Sequence, residues 1–210
     1  MFTGLIQGMG VIESMEKFHS GKKLVICWDG FINTRLKQGS SVAVDGVCLS
    51  IEKLAGNMAY FTAVEETIQR TTFKYRNLGE LVNIELPITP ETFMDGHIVQ
   101  GHIDCIGEIV TLEKLGAQHI LKINYDSKFS RYIVPKGSIA VDGISLTVAR
   151  SSKSSFSCAI IPDTLKRTTL SQKKSGDYVN IEFDVLAKYV EKQLSNSNSS
   201  NYEDDFVATY

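Results

Sequence analysis

The chain consists of two copies of one sequence unit. Residues 1–86 match residues 98–183 at a constant shift of 97 positions, without a gap in any block that aligns. The clearest blocks are VDGVCLS at 44–50 with VDGISLT at 141–147, TIQRTT at 67–72 with TLKRTT at 164–169, and VNIE at 82–85 with VNIE at 179–182. Chance similarity would not keep one register across blocks so far apart. Two copies of one fold imply two similar sites.

The unit is too long for a solenoid repeat. Solenoid units of about 20–50 residues stack three or more times, whereas this unit occurs twice. A chain of 210 residues fits one or two domains, and 43% hydrophobic residues suffice for packed cores. We therefore expect two tandem domains.

Charge and hydropathy exclude several classes of partner. The net charge is −2, with acids and bases interspersed, so the basic stripe of a nucleic-acid-binding protein is missing from the sequence. Residues 1–14 carry no Lys or Arg ahead of apolar residues, and no run of about 18 apolar residues could cross a membrane. We expect a cytoplasmic protein with neither nucleic acid nor membrane as a partner.

The cysteine pattern argues against cross-links. Cys27, Cys48, Cys105 and Cys158 show no CxxC spacing and lie in apolar runs. This pattern predicts reduced thiols and neither a disulfide framework nor a structural zinc site.

Short apolar or alternating runs predict strands in both copies. They cover residues 41–51, 58–63, 81–86, 120–125, 138–148 and 156–161. Turns are predicted at Gly39, Gly56, Gly79, Gly116, Gly137 and Gly176. Because each half has few strands, closing the sheet into a small barrel removes its exposed edges. We predict an all-β protein of two barrels rather than one sandwich.

Helices are predicted outside the strands. Residues 65–70 and 163–167 indicate single helical turns beside the barrel mouths, and the strongest helix covers 184–194 with Asp184 as its N-cap. Its apolar stripe consists of Val185, Leu186, Tyr189, Val190 and Leu194. This stripe docks on the chain's own barrel or packs against copies of itself. The domains are predicted at 1–96, 97–183 and 184–194, followed by a disordered polar tail at 195–210.

The copies differ at positions that carry chemistry. Cys48 in the first copy aligns with Ser145 in the second, and Leu5 aligns with His102. Two interpretations are open at this point. Either the two sites bind similar ligands and treat them differently, or these differences are neutral drift between residues that fill similar places.

Each reactive residue type also has a plain structural interpretation. Cys48 is a nucleophile or an acid/base if its thiol pKa is lowered, or else it is core packing. His102 is a general base near neutral pH, or a surface histidine. His97 and His102 are five residues apart, so on a strand they face opposite sides and cannot share a metal ion. We expect no metal site.

Three hydroxyl residues complete the candidates. Ser145 lies in DGISL, which lacks the second glycine of a nucleophile elbow, so we interpret its hydroxyl as a ligand or water partner and not as a hydrolase serine. Thr67 and Thr164 either donate hydrogen bonds to a ligand or cap their helical turns.

These motifs together resemble the riboflavin synthase family of the alpha-chain type. The resemblance rests on MFTG at 1–4, VDGVCL at 44–49, GHIVQGH at 96–102, DGISLTV at 142–148 and NIEFD at 180–184, and it covers about residues 1–194. It implies two six-stranded Greek-key barrels and a C-terminal helix that joins a homotrimer. Asp45 and Ser50 depart from the family, which often has Asn and Thr there.

The resemblance also implies an activity. The family converts two molecules of 6,7-dimethyl-8-ribityllumazine into riboflavin and 5-amino-6-(D-ribitylamino)uracil by moving a four-carbon unit, without a metal or organic cofactor. Its active site forms between the first barrel of one subunit and the second barrel of a neighbour. Lumazine synthase is an expected partner. The alternative is a non-catalytic lumazine or flavin carrier with the same duplicated barrels.

By resemblance, four residues are catalytic candidates: Cys48, His102, Ser145 and Asp184. The implied first-barrel site comprises Gly4, Leu5, Ile6, Cys48, Leu49, Ser50, Thr62, Ala63, Val64, Glu65, Glu66 and Thr67. The implied second-barrel site comprises Gly101, His102, Ile103, Lys136, Ser145, Leu146, Thr147, Ala159, Ile160, Ile161, Pro162, Asp163 and Thr164.

Overall fold

Each repeat folds into a closed antiparallel barrel of six strands. The computed structural model describes residues 1–28 and 36–197. The first barrel contains β1 (Gly8–Phe18), β2 (Gly21–Trp28), β3 (Ser41–Val44), β4 (Val47–Ala55), β5 (Met58–Ala63) and β6 (Leu81–Glu85). Its strands follow the order β1-β2-β5-β4-β3-β6. The predicted barrels are confirmed.

The second barrel repeats this arrangement. It contains β7 (Cys105–Leu115), β8 (Gln118–Asn124), β9 (Ser138–Val141), β10 (Ile144–Ser151), β11 (Ser155–Ile160) and β12 (Tyr178–Phe183), in the closed order β10-β11-β8-β7-β12-β9. Helices α1 (Glu65–Arg70) and α2 (Pro162–Arg167) follow equivalent strands, and short 3₁₀ turns lie at Thr72–Lys74, Ser127–Tyr132 and Thr169–Gln172. Both helical turns agree with their predicted positions.

Alternation of buried and exposed side chains explains the strands. In β2, Leu24, Ile26 and Trp28 point into the barrel, while the residues between them are less buried. The predicted runs 41–51 and 138–148 each contain a tight hairpin at an Asp-Gly pair. Asp and Gly in both pairs have positive φ, as the favoured two-residue hairpin turn requires.

The predicted turn glycines are confirmed with one difference. Five of them have positive φ: Gly39, Gly56, Gly79, Gly116 and Gly176. At the sixth turn the left-handed residue is Lys136, with φ 67°, and not its neighbour Gly137.

Two asparagines join the barrels. Asn83 Nδ2 donates to the Asp142 carbonyl at 3.0 Å, and its Oδ1 accepts the Thr169 amide at 2.8 Å. The equivalent Asn180 bonds the Asp45 carbonyl at 2.9 Å and the Thr72 amide at 2.8 Å. Both asparagines are fully buried. Each repeat therefore forms the same two hydrogen bonds to the other repeat.

A buried charge cluster lies beside these asparagines. Asp45 pairs with Arg76, and Asp142 pairs with Lys173 at 3.2 Å. Burial raises the pKa of Asp45 to about 6, against the opposing effect of Arg76. The added acid that distinguishes Asp45 from the family pattern is thus compensated between the barrels.

Helix α3 (Val185–Ser197) follows β12 directly. Asp184 Oδ1 accepts the Leu186 amide at 3.0 Å, which confirms the predicted N-cap, and the helix continues three residues beyond its predicted end. Leu186, Tyr189 and Val190 are 61%, 67% and 58% exposed, so this face does not dock on the chain's own barrels. The predicted tail lies outside the described residues from position 198 onward. Among the helices of the described ranges, none is long and apolar enough to cross a membrane.

We expect Asn83→Ala to destabilise the protein by about 2–4 kcal/mol. The substitution leaves the Thr169 amide and the Asp142 carbonyl without this buried partner, at roughly 1–3 kcal/mol for each group. Urea denaturation measures the effect. The control is Asn124→Ala on the exposed surface of β8, which should change the unfolding free energy by less than about 0.5 kcal/mol. Equal losses in both variants would contradict the structural role of Asn83.

Candidate functional site

Each barrel is contacted by a loop that belongs to the other repeat. We call residues 3–6 and 100–103 the crossed loops. The Cys48 amide donates to the Gly101 carbonyl at 2.9 Å, and the Ser145 amide donates to the Gly4 carbonyl at 2.8 Å. A β-bridge between Phe2 and Val99 joins the two loops to each other. Both candidate reactive residues therefore lie directly beneath a crossed loop.

This geometry corrects the predicted assignment of the loops. The resemblance predicts that Gly4 belongs to the first-barrel site and Gly101 to the second-barrel site. The structure places them the other way round. Ile6 packs against the core of the second barrel, and Ile103 packs against the core of the first. Each candidate site is therefore built from both repeats.

Both crossed loops require glycine at the point of contact. Gly101 has φ +81°, and a Cβ there would lie 2.5 Å from the Cβ of Cys48. Gly4 has φ +79°, and its Cβ would lie 2.6 Å from the Cβ of Ser145. A side chain would be strained by the backbone conformation and would clash with the barrel. These glycines allow the loops to approach the reactive positions closely.

A buried glutamate holds each crossed loop by its backbone amides. Glu182 accepts hydrogen bonds from the amides of Gln100, Gly101 and His102 at 2.7, 2.8 and 3.1 Å. In the other repeat, Glu85 accepts the amides of residues 3 and 4 at 2.6 and 3.0 Å, and the Thr3 hydroxyl at 2.7 Å. Burial raises the pKa of both carboxyl groups, that of Glu182 to about 7.

A cleft of about 420 Å³ opens at Cys48, and we call it the first cleft. Of the predicted residues, Cys48, Val64, Glu66, Thr67, Gly101, His102 and Ile103 line it. Two ion pairs also line this cleft, Arg70 with Glu66 at 2.9 Å and Lys188 with Asp104 at 2.6 Å. The structure thus brings a thiol, an imidazole and a threonine hydroxyl together around one space large enough for a small heterocycle.

The remaining residues predicted for the first site lie around this cleft or on the second barrel. Leu49 and Ala63 belong to the barrel core, and Ser50 is exposed. Thr62 has a buried hydroxyl without a protein partner. Glu65 bonds Gln69 on the surface of α1, and Gly4, Leu5 and Ile6 belong to the crossed loop on the second barrel.

In the second candidate site, Ser145 contacts a histidine. His97 Nδ1 lies 2.7 Å from Ser145 Oγ. Burial lowers the pKa of His97, which favours the neutral ring, although the charge of Asp184 acts in the opposite direction. Its Nε2 is buried without a protein partner. Of the predicted catalytic residues, Ser145 thus contacts His97, Asp184 acts on His97 only through its charge, and His102 lies at the first cleft.

Sequence reasoning does not single out His97 as a partner of Ser145. His97 lies just outside the two aligned copies, residues 1–86 and 98–183, so the comparison of the copies carries no signal for it. Its contact with Ser145 is visible only in the folded chain.

The other residues predicted for the second site differ in exposure. Leu146 and Ile160 are buried, whereas Lys136, Thr147, Ala159, Ile161, Pro162 and Asp163 are exposed. Thr164 is half-buried in α2, and neither it nor Thr67 caps its helix, since the N-cap positions are Ile161 and Val64. The capping interpretation of both threonines is wrong.

Two other features are separate from this chemistry. Burial raises the pKa of the Cys105 and Cys158 thiols to about 12, which disfavours the reactive thiolate at both positions. A larger cleft of about 550 Å³ lies between the barrels beside Arg76 and Lys173, and it contains none of the predicted site residues. The contacts of the crossed loops, and not cleft size, identify the site.

Comparison with known families identifies both repeats. The sequence model of the lumazine binding domain matches residues 3–87 and again residues 100–184.

Curated relatives match over nearly the whole chain. The riboflavin synthase of Photobacterium phosphoreum is 37% identical, over 92% of this chain and 89% of its own length. That of Actinobacillus pleuropneumoniae is 36% identical, over 99% and 98%, and that of Bacillus subtilis is 31% identical, over 100% and 97%.

Solved structures share the fold. LumP complexed with 6,7-dimethyl-8-(1'-D-ribityl) lumazine has a TM-score of 0.79 at 21% identity, over 87% of this chain and 99% of that one. LumP complexed with riboflavin has a TM-score of 0.80 at 22% identity, with the same coverage. At this level of identity the likeness concerns the architecture alone.

We expect Gly101→Ala to lift the crossed loop from Cys48. The new Cβ would clash with Cys48, and this adds to a cost of roughly 1 kcal/mol or more for alanine at positive φ. The Cys48 thiol should then react faster with iodoacetamide, as measured by peptide mass spectrometry.

Gly79→Ala is the matched control for this variant. Gly79 also has φ +81° but has nothing within 4 Å of its Cβ position. Gly79→Ala should be destabilised by a similar amount, because alanine is strained at this positive φ. The rate of Cys48 alkylation should stay the same. Unchanged alkylation in Gly101→Ala would mean that the loop does not cover the thiol.

Proposed function

We propose, from the premise that this chain belongs to the lumazine-binding domain family, that it is a riboflavin synthase. It converts two molecules of 6,7-dimethyl-8-ribityllumazine into riboflavin and 5-amino-6-(D-ribitylamino)uracil. The observation that carries the proposal is identity of 31–37% over at least nine tenths of this chain to curated riboflavin synthases. The two complete candidate sites support the same conclusion.

The reaction needs two similar sites with different reactive groups. Two identical substrates meet, and one gives a four-carbon unit to the other. One lumazine loses a proton from its C7 methyl group, and the other is attacked at C7. The Cys48 site and the Ser145 site share a scaffold, yet only the second has a hydroxyl bonded to an imidazole. Because of this difference, one site can hold the lumazine that gives the four-carbon unit and the other the lumazine that accepts it.

We assign the neutral His97 a role in activating Ser145. When Ser145 donates its proton to Nδ1, the serine oxygen keeps its lone pairs for a water molecule or a substrate proton. The charge of Asp184 favours a ring that takes up positive charge in the transition state. At the first cleft, His102 and Cys48 are the corresponding candidates. Holding two reactive heterocycles together supplies the rest of the rate enhancement.

We also propose that the active unit is a cytoplasmic homotrimer joined through α3. The exposed side chains of Leu186, Tyr189 and Val190 form an apolar face of this helix. Such a face is a typical contact between copies of a chain. In this arrangement the first site of one subunit meets the second site of its neighbour. Lumazine synthase remains the predicted partner.

We expect the purified chain to convert lumazine alone into riboflavin, with half a mole of riboflavin formed per mole of lumazine consumed. Absorbance follows both compounds against a protein-free control. Ser145→Ala and His97→Gln should each slow turnover by about 10- to 100-fold. The exposed Ser154→Ala is the control and should keep the parent rate.

The outcomes of this assay separate the enzyme from the carrier. Tight binding of lumazine without conversion above the control would establish the carrier and withdraw the catalytic assignments. Conversion that is unaffected by Ser145→Ala and His97→Gln would keep the enzyme but reject the roles of these two residues.

We expect Leu186→Glu to dissociate the oligomer and reduce turnover. A carboxylate on the apolar face of α3 would be desolvated in the proposed contact. Light scattering coupled to size exclusion measures the mass. Gln193→Glu, an equal change in charge at an exposed position of the same helix, should leave the mass unchanged. A fully active monomer would reject the trimer as the active unit.

A further inference from the structure

The two glutamates that hold the crossed loops differ in one hydrogen-bond donor. Glu85 receives the Thr3 hydroxyl at 2.7 Å in addition to backbone amides. The residue equivalent to Thr3 is Gln100, and Glu182 receives only its backbone amide. Glu182 is 1% exposed and depends on three amides for its stabilisation. The carboxylate that holds the loop at the first cleft, Glu182, therefore lacks the side-chain hydrogen bond that Glu85 accepts at the second site.

We propose that Glu182 is a positioning residue for the first cleft, whose ionised carboxylate holds the crossed loop 100–103 on Cys48 and whose protonation releases it. This inference rests on the proposed function for the identity of the ligand. It adds a residue that acts through the loop and that touches neither reactive position. It also predicts that the two sites of one chain respond differently to acid.

Hydrogen-bond chemistry makes the charge state decisive. An ionised carboxylate only accepts, which suits a position surrounded by amide donors. A protonated carboxyl places an O–H against those N–H groups and loses at least one bond. The loop loses its anchor in that state. His102 and the Gly101 carbonyl that bonds Cys48 are then free to move together.

Burial places this change near neutral pH. It is the main reason why the pKa of Glu182 is raised to about 7, and Asp104 in the segment after the loop acts in the same direction. Lys188 on α3 lowers it, but that ammonium group also pairs with Asp104 at 2.6 Å. His102 is the other titratable side chain on the crossed loop. A ligand that binds only while the loop is docked on Cys48 binds the form in which Glu182 is ionised. The affinity of the first cleft for this ligand therefore falls as the pH falls below 7.

The size of the effect follows from the ionised fraction. With a transition near pH 7, the competent fraction drops about tenfold between pH 8 and pH 6, and the apparent Kd of the first cleft rises by the same factor. Glu85 also accepts the Thr3 hydroxyl, which stabilises its ionised form. It should therefore keep the loop 3–6 docked at the second site to a lower pH.

Nuclear magnetic resonance of the full ¹⁵N-labelled chain tests the loop directly. The Gly101 amide signal should titrate with a midpoint near pH 7, and the Gly4 amide signal with a lower midpoint. Glu182→Gln should abolish the Gly101 titration, whereas the matched variant Glu85→Gln should leave it intact. Gln100→Thr supplies the missing hydroxyl and should move the Gly101 midpoint to lower pH.

Riboflavin fluorescence quenching then tests the consequence for binding. In a two-site fit, one step should weaken about tenfold from pH 8 to pH 6 in the parent chain and lose this pH dependence in Glu182→Gln. Because imidazoles change charge in the same range, His102→Gln is needed as a control and should retain the dependence. A Gly101 signal that does not titrate, or that still titrates in Glu182→Gln, overturns the inference. Normal loop titration without riboflavin or lumazine binding at any pH instead overturns the proposed function.

Discussion

The crossed loops are the contact on which the rest of the structure depends. The Cys48 amide donates a hydrogen bond to the Gly101 carbonyl, and the Ser145 amide donates one to the Gly4 carbonyl. The candidate site on each barrel therefore includes a loop of the other repeat, although each barrel has its own core. The asparagine pairs between the barrels serve the same arrangement, because they keep the two barrel mouths in the register that the loops need.

Duplication supplies the scaffold, and a few substitutions make the sites different. The backbone bonds at Cys48 and Ser145 are equivalent, so both sites present a ligand to the same kind of surface. His97 then distinguishes the second site, because its imidazole lies within hydrogen-bond distance of the Ser145 hydroxyl. A reaction between two identical molecules needs this combination: similar recognition, which brings both substrates to like sites, and unequal chemistry, which gives each a different fate.

Buried charge in this chain is concentrated where the repeats meet. Asp45 and Asp142 are fully buried between the barrels and are compensated by Arg76 and Lys173. Removing one partner of such a pair leaves an uncompensated buried charge, which is costly. The glutamates of the crossed loops differ from these aspartates because their hydrogen bonds come mainly from backbone amides, and neither forms an ion pair within the described residues. Geometry at the loops is therefore more sensitive to the protonation state of a single carboxyl group.

The sequence by itself determined the duplication, the strands within the six predicted runs and the N-cap of α3, because these depend on residues close together in the chain, whereas β1, β2, β7 and β12 lie outside those runs. It also identified Cys48, Ser145 and His102 as candidates, since the repeat register exposes the positions where the copies differ. The tertiary structure alone decided which barrel each loop serves and paired His97 with Ser145 across 48 residues. These outcomes depend on long-range packing between two nearly equivalent surfaces. A repeat pattern is the same whether a loop stays on its own barrel or crosses to the other, so only the folded chain distinguishes the two arrangements.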